Sequence, residues 1–152
     1  MNIVPMNRQY ADEYLHWQYK EPYTFYNIPP EGIEETDHEI FDDPSIHYFS
    51  VLKDGRLFGI YSYVEIEDGL EIGLGICPEE TGKGNGKRFV SECLEFGRNY
   101  FNYQGTFTLD VVEFNRRAIH LYKQLGFIET GGASRLSFGK SVTFIKMELG
   151  AT

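Results

Sequence analysis

The sequence predicts a layered α/β fold: one domain over residues 1–152, a mixed and mostly antiparallel sheet of about seven strands flanked by about four helices. Three observations lead there. Alternating apolar runs are joined by Asp54-Gly55 and Asp68-Gly69, dipeptides that close hairpins. A glycine-rich turn, Gly82-Lys83-Gly84-Asn85-Gly86, stands between a strand-like run and an amphipathic helix. A second strand-then-helix unit follows, with Asn115 as a natural N-cap and Gly126 as a natural stop.

Along the chain, Asn2–Pro5 reads as a short first strand and Arg8–Tyr19 as a first helix, with Tyr10, Tyr14, Leu15 and Trp17 or Gln18 competing for its buried face. The aromatic stretch from Tyr19 to Pro30 contains Pro22, Pro29 and Pro30 and cannot be a regular helix throughout. Glu31–Asp43 carries seven carboxylates and neither Lys nor Arg, which suits a partly exposed second helix. Ile46–Lys53, Arg56–Glu67 and Leu70–Cys77 form three successive antiparallel strands. A helix from about Gly84 to Phe101 follows, then the half-buried strand Thr106–Val112. In the helix Asn115–Leu125, the residues Ala118, Leu121, Tyr122 and Leu125 share one face. Phe127–Phe138 and Ser141–Leu149 close the sheet.

Composition narrows the function. A net charge of −9 argues against nucleic acid, whose phosphates need a basic face, and suits a cationic ligand. No window approaches the ~20 apolar residues of a membrane span, and Met-Asn-Ile-Val-Pro is not a signal peptide, so a soluble cytoplasmic protein without a membrane partner is expected. Cys77 and Cys93 read as free thiols, and His16, His38, His47 and His120 have no ligand spacing, so no metal is expected.

The glycine-rich turn carries the chemistry. A helix start offers unpaired N–H groups and the positive end of the helix dipole, a good seat for phosphate. Gly82, Gly84 and Gly86 let the backbone turn and admit phosphate oxygens closely, while Lys83, Lys87 and Arg88 flank the loop with positive charge. A P-loop is excluded because Lys87 is followed by Arg88, which has no hydroxyl for Mg²⁺. A dinucleotide fingerprint fails because its last glycine would fall on Lys87 or Phe89.

Thr81-Gly82-Lys83-Gly84-Asn85-Gly86 resembles the pyrophosphate loop of the GNAT superfamily (Gcn5-related N-acetyltransferases), Arg/Gln-x-x-Gly-x-Gly/Ala, with Thr81 departing at the first position. The block from Asn115 through Leu121, Tyr122 and Gly126 to Phe127 resembles that family's second signature, in the same order and roughly the same spacing. The resemblance covers essentially the whole chain. It implies parallel fourth and fifth strands that splay apart, and an acetyl-CoA-dependent N-acetyltransferase that moves an acetyl group to a primary amine of a small molecule or peptide, releasing CoA.

Residue by residue, it implies that Leu74, Gly75, Ile76 and Cys77 offer backbone groups to the pantetheine arm, and that Gly82, Lys83, Gly84, Asn85, Gly86 and Lys87 hold the phosphates. Asn115 and Tyr122 would also contact the cofactor, with Tyr122 as the acid that protonates the departing thiolate. Tyr122 read by itself is equally a core residue of an amphipathic helix, and Gly75 marks either a strand bulge or a packing accommodation. Glu71, which shares a strand face with Gly73 and Gly75, is either a general base or a solvated carboxylate. Tyr23, Phe25 and Tyr26 fall where the family builds a wall of the acceptor site, though aromatics also pin loops to a core. Dimerisation is common in the family. The alternative reading is a non-catalytic acyl-CoA-binding sensor of the same fold.

Overall fold

The computed structural model describes residues 1–151. Among these lie β1 (Asn2–Pro5), α1 (Arg8–Leu15), α2 (Pro30–Phe41), β2 (Ile46–Lys53), β3 (Arg56–Ile66) and β4 (Gly69–Ile76). They continue with α3 (Gly86–Tyr100), β5 (Phe107–Val112), α4 (Arg116–Gln124), β6 (Ile128–Ser137) and β7 (Lys140–Leu149). Short 3-10 turns occupy Thr24–Tyr26 and Pro78–Glu80. The strands form one seven-stranded sheet in the order β1-β2-β3-β4-β5-β7-β6.

The expected parallel pair is present. Leu70 lies opposite Phe107 and Glu71 opposite Thr108, after which β4 runs on to Ile76 and β5 to Val112. On its other edge β5 pairs with β7 antiparallel, from Phe107 opposite Leu149 to Val112 opposite Phe144. Two hairpin turns use residues with positive φ. Asp54 and Gly55 stand at 52° and 76°, Phe138 and Gly139 at 48° and 84°, the primed geometry that follows strand twist.

The residues group into two compact units: Met1–Tyr63 with Leu74–Asn85, and Val64–Gly73 with the residues from Gly86 onward. The first unit is built on buried Trp17, Leu57, Ile60 and Cys77, and on Ala11, Leu15 and Ile40 between its helices. Arg8 ties α1 to α2, bonding Asp37 and lying 4.3 Å over the Phe41 ring. The second unit centres on fully buried Phe107, Phe127, Met147 and Leu70. Arg98 stacks 4.6 Å from the Phe107 ring centre, and its guanidinium also reaches the Gly105 carbonyl at 3.3 Å.

Helix α1 is shorter than its sequence suggests. It stops at Leu15, where the His16 N–H turns back to the Glu13 carbonyl at 3.2 Å and the Trp17 N–H to that of Tyr14 at 3.1 Å. That tight turn swings Trp17 out of helical register into the core beside Cys77, while Gln18 stays exposed. Burial of an indole outweighs a further helical turn. Among the described residues, no helix is long and apolar enough to cross a membrane, and no group of His, Cys, Asp or Glu residues could hold a metal.

Candidate active site

Strand β4 carries the backbone groups expected to meet the cofactor, and its hydrogen bonds show which way they face. The Cys77 N–H donates to the Phe58 carbonyl of β3 at 2.8 Å. Leu70, of opposite parity, donates away from β3 to the Thr106 carbonyl at 3.0 Å. Backbone groups alternate along a strand, so Leu74 and Ile76 turn theirs away from β3, while Gly75 and Cys77 turn theirs toward it. Cys77 is further engaged, its carbonyl accepting from the Glu80 N–H at 3.0 Å. The Ile76 carbonyl accepts from the Tyr19 hydroxyl at 2.6 Å. At Gly75 a Cβ would lie 3.4 Å from Ile60 and 3.6 Å from Trp17, ordinary contact with the core.

The loop after β4 begins with the Pro78–Glu80 turn, and here Thr81 has a definite task. Its hydroxyl donates to the Pro78 carbonyl at 2.8 Å, closing the turn from which the glycine loop departs. Gly82 and Gly84 then stand at φ of 74° and 80°, a conformation that side chains resist. A Cβ at Gly84 would meet nothing within 4 Å, so an open backbone faces solvent there. A loop of this conformation leaves its backbone N–H groups open to an anion at the start of α3. Gly86 differs from the other two: a Cβ there would come 2.8 Å from the end of Leu121, so this glycine lets α3 approach α4 closely. Lys83 pairs with Glu80 at 3.7 Å, and Arg88 with Glu92 at 3.1 Å along α3. Lys87 is exposed on the first turn of that helix.

In the second unit, Asn115 caps α4, its side chain accepting the Ala118 N–H at 3.2 Å. Such a cap contributes about 1 kcal/mol to stability. Tyr122 lies half-buried on α4 with its ring 5.7 Å from that of Phe127. The Tyr122 carbonyl accepts N–H groups from Leu125 and Phe127, both at 3.0 Å, which fixes the helix end beneath it. Glu71 is half-buried on β4, and burial holds its carboxyl above the usual carboxylate range. Asp110 pushes the same way, while Arg135 and Lys146 oppose it.

Tyr23, Phe25 and Tyr26 cluster around the 3-10 turn of the first unit. Tyr26 stacks on Tyr23 at 6.5 Å and meets Phe25 edge-on at 5.4 Å. Tyr19, which the sequence does not single out, supports them: it packs edge-on against Tyr26 at 6.2 Å as well as holding Ile76. Nothing local flags it, because its partner lies on a strand far along the chain. A separate cleft of about 960 Å³ in this unit is lined by Tyr10, Glu13, Lys53, Arg56, Phe58 and Glu79 among others, and of the expected site residues only Cys77 borders it.

The model of the acetyltransferase (GNAT) family matches residues 11–127, and the chain belongs to that family. It is therefore an acetyl-CoA-dependent N-acetyltransferase by class, a transferase of the acyltransferase group. The chain is 28% identical over 122 residues to the spermidine N(1)-acetyltransferase of Vibrio cholerae, covering 77% of this chain and 67% of that protein. It is also 28% identical over 120 residues to the enzyme of the same name from Escherichia coli K12. That match covers 77% of this chain but only 62% of the relative. Among solved structures, a spermidine N-acetyltransferase SpeG chimera from Vibrio cholerae and hSSAT superposes with a TM-score of 0.76, 23% identity, and coverage of 99% of this chain and 96% of that one. The Vibrio cholerae enzyme in complex with CoA and spermine gives a TM-score of 0.71 at 21% identity, covering 99% of this chain and 95% of that one.

Proposed function

We propose that this protein, acting as one catalytic domain over residues 1–152, acetylates a primary amine of a small polycation of the polyamine class. The observation that carries the reading is acidic helix α2 following the aromatic turn. Between Pro30 and Phe41 it presents Glu31, Glu34, Glu35, Asp37 and Glu39 with no Lys or Arg. Carboxylates attract a multiply charged amine, and aromatic faces hold its ammonium and methylene groups. The two relatives named for spermidine acetylation support it.

Acetyl-CoA, when bound, supplies an activated acetyl thioester. The chain's own residues do the rest. Gly82, Gly84 and Asn85, with Lys83, Gly86 and Lys87, would hold the pyrophosphate at the start of α3, and the outward amides of Leu74 and Ile76 would hold the pantetheine arm. Asn115 braces α4 and orients Tyr122. An amine attacks only when neutral, so Glu71 accepts its proton, and Tyr122 keeps a phenolic proton for the departing sulfur. Two buried free thiols suit a reducing, cytoplasmic setting. Strand β6, exposed from Ile128 to Leu136, is the edge a second copy would use; nucleic acid and membrane have no part in this reading.

The pH dependence has a definite sign. Because the folded-state pKa of Glu71 lies above its ordinary value, the stability this group contributes is full below that value and is lost as pH rises through the folded-state pKa. Its action as a base runs the other way, switching on as pH rises through the same range. Glu71→Gln is expected to lower kcat/KM by about 10²-fold and to remove the acidic limb of its pH profile. A limb that persists unchanged assigns the proton transfer elsewhere.

The test of the whole reading is calorimetric titration with acetyl-CoA, followed by thiol release with spermidine, an amino sugar, an amino acid and a peptide N-terminus. Saturable binding and the highest kcat/KM with spermidine are expected. Preference for another amine overturns the acceptor assignment, and lack of acetyl-CoA binding overturns the assignment of the loop.

A further inference from the structure

The aromatic segment between α1 and α2 is held closed by one side chain. Asn27 grips the Tyr19 backbone twice, Oδ1 accepting its N–H at 2.5 Å and Nδ2 donating to its carbonyl at 3.2 Å. Inside this clasp the turn Thr24–Tyr26 sets Tyr26 against the Tyr19 ring at 6.2 Å, and on its other side Tyr19 meets the buried Trp17 at 6.4 Å. The Tyr19 hydroxyl then leaves the segment and donates to the Ile76 carbonyl at 2.6 Å, bridging 57 residues of sequence. Ile76 is one of the residues whose backbone groups turn away from β3. The bond therefore lands on the edge assigned above to the pantetheine arm.

We infer that Tyr19 is a positioning residue that couples the two halves of the reaction, joining the loop that meets the amine to the strand that meets acetyl-CoA. This rests on the reading under Proposed function. One ring backs Tyr26 and, through its hydroxyl, sets the direction of the Ile76 peptide. Ordering the loop orders the strand edge, so the ligand that binds first bears the entropy cost of both and the second binds more tightly. Burial pushes the Tyr19 phenol above its ordinary pKa, so it remains a donor throughout an assay range.

The test is titration of CoA into the folded protein with and without saturating spermidine, in wild type, Tyr19→Phe and Asn27→Ala. In wild type, spermidine should tighten CoA binding about fivefold or more. Tyr19→Phe keeps the ring and its contacts but loses the bond, and the ratio should fall to about one. Asn27→Ala, which opens the clasp and leaves the hydroxyl, should lower the ratio as well. A residue that merely stabilises the fold would move both affinities together and leave their ratio alone. An unchanged ratio in Tyr19→Phe overturns the inference, as does a wild-type ratio of one in a protein that binds both ligands; the function reading survives either result. If Tyr19→Phe does not fold, an unchanged ratio in Asn27→Ala overturns it. Wild type that fails to bind CoA or spermidine overturns the function reading, and this inference with it.

Discussion

Tyr122→Phe is expected to lower kcat by about 10²–10⁴-fold while leaving the acetyl-CoA dissociation constant unchanged. The substitution removes one oxygen and keeps the ring. Packing against Phe127 survives, and so do the backbone bonds that lock the end of α4. What disappears is a phenolic proton, one that can be given to a sulfur leaving with negative charge. An interaction needed only in the transition state lowers kcat and kcat/KM equally, which steady-state kinetics with varied acetyl-CoA will read directly. A kcat within about threefold of wild type would return Tyr122 to the status of a packing residue.

Trp17→Ala should cost about 3–5 kcal/mol of stability, measured as a shift in the denaturant midpoint at constant slope. Trp17 is 8% exposed and packs with Leu57, Ile60 and Cys77, its ring 5.2 Å from that of Tyr14. Removing the indole takes away the group that lies 3.6 Å from where a Cβ at Gly75 would stand, and so opens a void against β4. The same variant should speed thiol labelling at Cys77. In the native protein burial and the neighbouring Glu79 push this thiol up to about 11, so almost none is thiolate at neutral pH. A loss below about 1 kcal/mol would mean that the surrounding side chains collapse into the space.

Features governed by neighbours in sequence were legible in it. Asp54-Gly55 specifies a hairpin because both residues tolerate positive φ, and the strand Ile46–Lys53 has the bounds its alternation suggests. The helix from Asn115 and the glycine loop were legible for the same reason: capping and turn chemistry are local. Features decided by distant partners were not. The end of α1 depends on a core that Trp17 joins across the fold, so helical periodicity overran it by four residues, from Leu15 to Tyr19. Gly86 reads in the sequence as part of the phosphate cradle, and its second task, making room for Leu121, shows only in the fold. Thr81 looked like a gap in a motif and in fact closes the preceding turn. The part played by Tyr19 needs the register of β4, which no residue near Tyr19 encodes.

Strand β7 lies between β5 and β6, yet it follows both in the sequence. During synthesis Phe107 must wait for Leu149 and Val112 for Phe144. That is a delay of several seconds at roughly 5–20 residues per second. Through this interval one edge of β5 is an open row of backbone donors and acceptors, able to capture another strand. A nascent chain stalled before Lys140, or one cut there, keeps that edge uncovered and leaves β6 without its hairpin partner. The ten residues of β7 thus decide when this edge of β5 stops being sticky, and their loss would be felt as aggregation before it was felt as lost catalysis.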